Sequence, residues 1–116
     1  MAKFRAIHTA DLRPEVDGKD FEKFMLTEFI PETLKLPGCL EVQLLKGYKG
    51  DKPGVATAKS DYAWISLWES VEANNNAWSR SGKHYTPEPI ERTLAKLYTF
   101  AAAYWLVGGY IVVGDE

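Results

Sequence analysis

The sequence predicts an α+β fold in which a four-stranded antiparallel sheet carries its helices on one face. Hydrophobic periodicity supports this prediction, because it gives the order strand, helix, strand, strand, helix, strand, with the second helix broken in two. That order is the split βαβ, or ferredoxin-like, arrangement. The chain also has the length of one ordinary domain, so residues 1–116 are predicted to form a single domain.

The first half of the chain is predicted to form a strand, a helix and a second strand. Residues 3–11 alternate between two faces, as a strand does. Residues 19–36 carry apolar side chains at helical spacing, with Asp17 as the expected cap and Pro31 expected to kink the helix or start a new turn. Residues 39–48 are the predicted second strand.

A connection rich in glycine and lysine follows over residues 46–60. A glycine-rich segment can cradle phosphate, but this one lacks the strand–GxxxxGK[ST]–helix pattern of a phosphate loop. We therefore interpret it as a flexible hairpin tip or lid.

The second half begins with a strand at 61–68 and a short helix at 71–80, which Ser70 is expected to cap. A longer helix is predicted to follow Thr86, which is the expected cap because proline occupies the first helical position. Residues 103–113 are the predicted last strand. Two adjacent glycines in that strand indicate a bulge or a close backbone approach.

Both faces of the third and last strands are apolar, which predicts a partner for the sheet. On the third strand, Ala63, Ile65 and Leu67 form one face, while Tyr62, Trp64, Ser66 and Trp68 form the other. Simple alternation along the last strand places Tyr104, Leu106, Tyr110 and Val112 on one face. Helices cover only one side of such a sheet, and a large exposed apolar patch is rare on a monomer. We therefore predict a homodimer formed through the sheet face that the helices leave open, which is expected to carry Ala63, Ile65 and Leu67.

The overall charge and the single cysteine narrow the function classes. The net charge is −2 without a basic cluster, so no nucleic-acid surface is predicted. One cysteine allows no disulfide within the chain, and the N-terminal residues show no signal-peptide pattern. The most apolar stretch, 100–113, is too short to span a bilayer. We therefore predict a cytoplasmic protein without membrane segments.

The stretch YAWISLWESVEANNNAWSRSGKH resembles the W-E-S-x-E-A strand-to-helix corner of dimeric α/β-barrel proteins. The match lies in Trp68-Glu69-Ser70 and Glu72-Ala73, and the LPG at 36–38 is also similar. The superfamily includes antibiotic-biosynthesis-type monooxygenases, heme-degrading monooxygenases and stress-responsive barrel proteins. The resemblance implies a barrel of two sheets with outer helices, and a pocket between the sheet and helices of each subunit.

The resemblance to the heme-degrading branch is partial. That branch uses an asparagine on the first strand, and a tryptophan and a histidine around the second helix. Trp78 matches the tryptophan, but the first strand here has no asparagine. Glu88 stands where the histidine is expected, and His84 comes earlier. Heme binding is therefore the weaker alternative, and no cofactor is predicted.

His8 and His84 are the candidate catalytic residues, because histidine is the side chain that titrates nearest neutral pH. The candidate substrate-binding residues are Tyr62, Trp64, Ser66, Trp68, Trp78 and Tyr85. No His/Cys/Asp/Glu cluster has ligand spacing, so no metal is predicted. These residues favour an enzyme of the monooxygenase-like kind, in which a histidine takes a proton from an aromatic or polyketide-like substrate. The alternative is a binding or stress-type protein without catalysis, whose aromatic residues are core.

Overall fold

The computed structural model of the chain describes residues 2–114. Its strands are β1 (Phe4–Leu12), β2 (Cys39–Lys46), β3 (Tyr62–Trp68) and β4 (Ala101–Ile111). Its helices are α1 (Gly18–Phe24), α2 (Ile30–Leu34), α3 (Val71–Trp78) and α4 (Pro87–Phe100), with a π-helical turn over Met25–Phe29. The strands form one antiparallel sheet in the order β2-β3-β1-β4, with the helices on one face. The predicted ferredoxin-like α+β fold is confirmed.

The helix accommodates Pro31 through the π-helical turn that precedes it. Proline has no backbone N–H, and its ring crowds the carbonyl four residues earlier in an α-helix. Immediately before Pro31, the N–H of Ile30 bonds to the carbonyl of Met25, five residues back. The wider turn lets the helix continue from α1 into α2, where Pro31 is in the first turn. Phe29 is the last residue of this turn and is buried.

All three predicted cap residues occupy the N-cap position of their helix, and two of them make a capping hydrogen bond. The Asp17 carboxylate accepts from the N–H of Lys19 at 3.0 Å, and the Ser70 hydroxyl accepts from the N–H of Ala73 at 3.1 Å. Thr86 occupies the cap position of α4, but its side chain makes no capping hydrogen bond. The third helical position there is Pro89, which has no N–H to donate, so the predicted cap position is confirmed but the capping hydrogen bond is absent.

The pairing of β1 with β3 decides which side chains face the helices. His8 lies opposite Trp64, and Ala6 lies opposite Ser66. These side chains and their neighbours on the same face are covered by the helix layer, and Trp64 is 2% exposed. The residues on the other face are Ala63, Ile65 and Leu67, which are only half-buried. The face assignment predicted for β3 is therefore confirmed.

A bulge in β4 reverses the predicted alternation beyond residue 107. Leu106 pairs with His8 but Gly108 pairs with Ile7, which leaves Val107 as the extra residue. Tyr110 therefore lies opposite Arg5 on the open face, and the prediction that it shares a face with Tyr104 is wrong. The two glycines were predicted to mark a bulge or a close approach, and both occur.

The close approach is at Gly109. A β-carbon built there would lie 2.0 Å from Cζ of the Phe4 ring. The ring can cross the backbone of β4 only because glycine has no side chain.

The sheet face opposite the helices carries an apolar surface, which we call the open face. It includes the half-buried Ile7 and Ile65 at its centre, and the more exposed Leu45, Trp105 and Tyr110. Trp105 is 48% exposed and Tyr110 is 56% exposed, which is unusual for rings of this size. Among the described residues, no helix is long and apolar enough to cross a membrane.

Candidate functional site

A cavity of about 460 Å³ lies between the end of α2, the start of α4 and the segment that joins α3 to α4. Its volume falls within the roughly 300–1,000 Å³ that is typical of small-molecule sites. Its lining is mainly apolar. The apolar side chains around it include Phe29, Leu36, Trp78, Ile90 and Leu94.

Two of these apolar walls rest on tryptophans of β3. Phe29, placed by the π turn, packs edge-on against Trp64 with ring centroids 5.6 Å apart. Trp78, at the end of α3, packs edge-on against Trp68 at 6.5 Å. The fully buried β3 rings thus hold the cavity walls in place from behind.

A tight turn presents His84 and Tyr85 to the cavity. The N–H of Gly82 donates to the carbonyl of Ser79 at 2.7 Å, and the N–H of His84 donates to the carbonyl of Asn76 at 2.9 Å. A β-carbon at Gly82 would lie 2.4 Å from that carbonyl oxygen, so the turn requires glycine. His84 is exposed at the mouth of the cavity.

Charged side chains surround the mouth. Lys35 bonds to Glu32 at 3.2 Å, so their charges largely cancel. Lys83 adds a positive charge beside His84. The mouth therefore favours an acceptor group or a developing negative charge on a ligand.

The structure brings three of the predicted site residues to this cavity, namely Trp78, His84 and Tyr85. The other predicted substrate-binding residues, Tyr62, Trp64, Ser66 and Trp68, lie outside it in the buried layer between sheet and helices. The side-chain polar atoms of Tyr62, Ser66 and Trp68 make hydrogen bonds within the protein. Nε1 of Trp68 donates to Oγ of Ser66 at 2.9 Å, and the Tyr62 hydroxyl donates to the Glu22 carboxylate.

His8 also lies apart from the cavity. Its ring lies nearly parallel to the rings of Trp64 and Tyr104, whose centroids are each 5.6 Å from that of His8 and 5.7 Å from each other. Its Nδ1 is buried and has no hydrogen-bond partner among residues 2–114. Burial lowers the pKa of His8 to about 4, so the imidazole is neutral at pH 7. A buried N–H without an acceptor costs more than an unused lone pair, which favours the tautomer protonated at Nε2.

Thr33 and Thr93 are cavity residues that the sequence analysis missed. Each lies on the apolar side of its helix, Thr33 between Ile30 and Leu36, and Thr93 between Ile90 and Leu97. A hydroxyl side chain within a row of apolar helical residues is the sequence signal that could have identified these two threonines. Among residues 2–114, no group of three or more His, Cys, Asp or Glu side chains is arranged to hold a metal ion.

Solved structures from plants and bacteria share the architecture of this chain. The hydroxynitrile lyase from Passiflora edulis superposes with a TM-score of 0.69 at 14% identity, covering 98% of this chain and 96% of that one. The cofactor-independent oxygenase SnoaB from Streptomyces nogalater gives 0.63 at 13% identity, with 99% and 100% covered.

A dimeric ferredoxin-like protein of unknown function from Thermobifida fusca gives a TM-score of 0.60 at 13% identity, with 96% and 92% covered. This chain has the ferredoxin-like fold. No protein-family model and no curated protein sequence matches it. At these sequence identities, similarity to solved structures shows the fold alone, so the activity must be inferred from the cavity.

Proposed function

We propose that this chain binds a small apolar or aromatic molecule in the cavity and that His84 takes a proton from it. The observation that carries the proposal is the apolar cavity of about 460 Å³ with His84 at its mouth. Trp78 and Tyr85 supply flat surfaces for an aromatic ligand. Lys83 would stabilise the negative charge that develops as the proton leaves.

A monooxygenase-like reaction is the chemistry we propose for this proton transfer. A proton moves from a phenol or an activated C–H group to the His84 imidazole, and the electron pair remains on the substrate. For an activated CH₂ group, the resulting carbanion forms a C–O bond with molecular oxygen, and the peroxide anion takes the proton back from His84. Cleavage of the O–O bond with loss of water then leaves a carbonyl, so that O₂ is the oxidant and supplies one oxygen atom to the product and one to water. The solved structures with this fold include a cofactor-independent oxygenase and a hydroxynitrile lyase. They support the proposal because they are enzymes built on the same fold.

A second candidate is ligand binding without catalysis. It is favoured by the packing of the β3 aromatic residues Tyr62, Trp64 and Trp68, which are 0–3% exposed and lie outside the cavity. These rings therefore act as core, as a non-catalytic scaffold would use them.

We further propose that the protein is a cytoplasmic homodimer joined through the open face. The exposed apolar rings of Trp105 and Tyr110 lie on that face, and water contact with them is unfavourable. Solved proteins with this fold are described as dimeric, which supports the same assembly.

The binding step is tested by calorimetric titration with 1-naphthol. Thr93→Trp, which narrows the cavity, should weaken binding at least about tenfold. Ala95→Trp is the matched control, because Ala95 is exposed on the same helix outside the cavity. If the unmodified protein binds neither 1-naphthol nor 2-tetralone, the proposal is contradicted.

The proton-transfer step is tested by deuterium exchange into 2-tetralone in D₂O, since its C1 protons are activated by the ring and the carbonyl. The protein should accelerate exchange, and His84→Ala should lower that acceleration about 100-fold while binding persists. Binding without acceleration supports the non-catalytic candidate. A Soret band on adding hemin that disappears in His84→Ala supports the heme alternative instead.

A further inference from the structure

The hydroxyl groups of Thr33, Thr93 and Tyr85 share one feature around the cavity. Each already donates its proton within the protein. Oγ1 of Thr33 donates to the carbonyl of Phe29 at 2.8 Å, and Oγ1 of Thr93 donates to the carbonyl of Pro89 at 2.7 Å. The Tyr85 hydroxyl donates to the Glu91 carboxylate at 3.1 Å. A hydroxyl has one proton and two lone pairs, so these oxygens have only acceptor capacity left for a ligand.

The two ends of the cavity therefore differ in hydrogen-bonding character. Thr33 is buried and Thr93 is half-buried, so acceptors stand at the inner part. Lys83 and His84 are exposed, so N–H donors and the positive charge of Lys83 stand at the mouth. A ligand that fits both ends carries a donor on its inner side and an acceptor or acidic group toward the mouth.

This difference creates selectivity because unpaired buried polar atoms are costly. A ligand with an ether or a plain hydrocarbon against the threonine oxygens removes their water and returns no hydrogen bond. A ligand with a hydroxyl or N–H group at the same point restores the bond. Each threonine hydroxyl already donates one hydrogen bond, so the added bond is expected to give a preference of about tenfold.

We propose that Thr33 and Thr93 are specificity-determining residues that select a ligand with a hydroxyl or N–H donor on its inner side. The ligand class is a hydroxylated aromatic compound, in preference to its methyl ether. This inference rests on the proposed function, because it requires that the cavity binds such molecules.

The test compares the dissociation constants of 1-naphthol and 1-methoxynaphthalene by calorimetry. The unmodified protein should prefer 1-naphthol about tenfold. Thr93→Val keeps the side-chain shape but removes the oxygen, so it should reduce that preference. The double variant Thr33→Val/Thr93→Val should abolish it, while Thr33→Ser/Thr93→Ser should keep it. Thr93 is half-buried, so Thr93→Val is expected to fold. This single variant therefore tests the inference even if the Thr33→Val change, at a buried position, prevents folding.

His84 is the competing source of the same preference, because its imidazole can also accept from a hydroxyl. In His84→Ala the preference for 1-naphthol should persist if the threonines set it. The inference is overturned if the preference for 1-naphthol persists in the double valine variant, or if it vanishes in His84→Ala. In either case the proposed binding function stands. Binding of neither compound by the unmodified protein overturns the proposed function and this inference together.

Discussion

His8 and Trp64 lie opposite each other on β1 and β3, with their rings stacked at 5.6 Å and 12° apart in plane. Tyr104 stacks on His8 as well, at 5.6 Å and 1°. The imidazole is thus one ring in an aromatic layer, where a positive charge would lose its water. This burial lowers the pKa of His8 to about 4, from 6.5 in an unfolded chain.

The first prediction is a pH-dependent loss of stability caused by His8. Between the folded pKa of about 4 and the unfolded value of 6.5, the unfolded state binds more protons, so acid favours unfolding. The free energy of unfolding should fall by about 1–2 kcal/mol as the pH drops from roughly 6.5 to 5. Urea denaturation of the unmodified protein and of His8→Phe measures the effect, since phenylalanine keeps the ring but cannot titrate.

The control for this prediction is His84→Gln, which removes the exposed histidine and should retain the loss of stability. If the unmodified protein and His8→Phe show the same pH dependence across that range, then His8 does not carry the effect. The buried, unpartnered Nδ1 would then need another explanation.

The second prediction compares two cap positions that look alike in sequence. Ser70→Ala should lower the free energy of unfolding by about 1 kcal/mol, because the hydroxyl accepts from the N–H of Ala73. Thr86→Ala should change it by less than about 0.5 kcal/mol, because Thr86 makes no capping bond. Thermal and urea denaturation of both variants check the contrast, and equal losses would contradict it.

The third prediction uses the two adjacent glycines of β4. Gly109→Ala should lower the free energy of unfolding by about 1–3 kcal/mol, because the new methyl group would meet the Phe4 ring at 2.0 Å. Gly108→Ala is the matched control, because its nearest neighbour, the Tyr110 ring, is at an ordinary contact distance of 3.5 Å. Urea denaturation of the pair is the measurement. A Gly108 variant as unstable as the Gly109 variant would show that strand conformation, and not the Phe4 contact, requires glycine.

The fold was predictable because it follows from local patterns. The short apolar run of β3, the helical spacing before Pro31 and the Ser70 cap each depend on neighbouring residues alone. The π turn and the face of Tyr110 were not predictable in this way. A helix can accommodate proline through several geometries, and the position of the bulge depends on pairing with β1.

The cavity was less predictable than the fold. His84 was identified because histidine is the side chain that titrates nearest neutral pH, and Tyr85 stands next to it in the sequence. Thr33 and Thr93 were missed because a threonine on an apolar stripe usually bonds its own helix, which both also do. The space beside them arises from how α2 and α4 pack, and no short stretch of sequence encodes that relationship.

The fourth prediction concerns assembly through the open face. Ile7 and Ile65 lie opposite each other at its centre, and Arg5 and Glu41 form an ion pair at 3.5 Å on the same face. The protein should sediment at twice its chain mass of 13.1 kDa at micromolar concentration. Ile65→Lys should raise the dissociation constant of the dimer at least about 100-fold, because dimerisation would bury an unpaired ammonium group.

Leu26→Lys is the matched control, because Leu26 is 59% exposed on the helix layer, away from the open face. This variant should remain dimeric with the sedimentation of the unmodified protein. Circular dichroism of both variants establishes that the chain is folded before the masses are compared. A folded unmodified protein that sediments as a monomer, or an Ile65→Lys variant that stays fully dimeric, contradicts the sheet-face dimer.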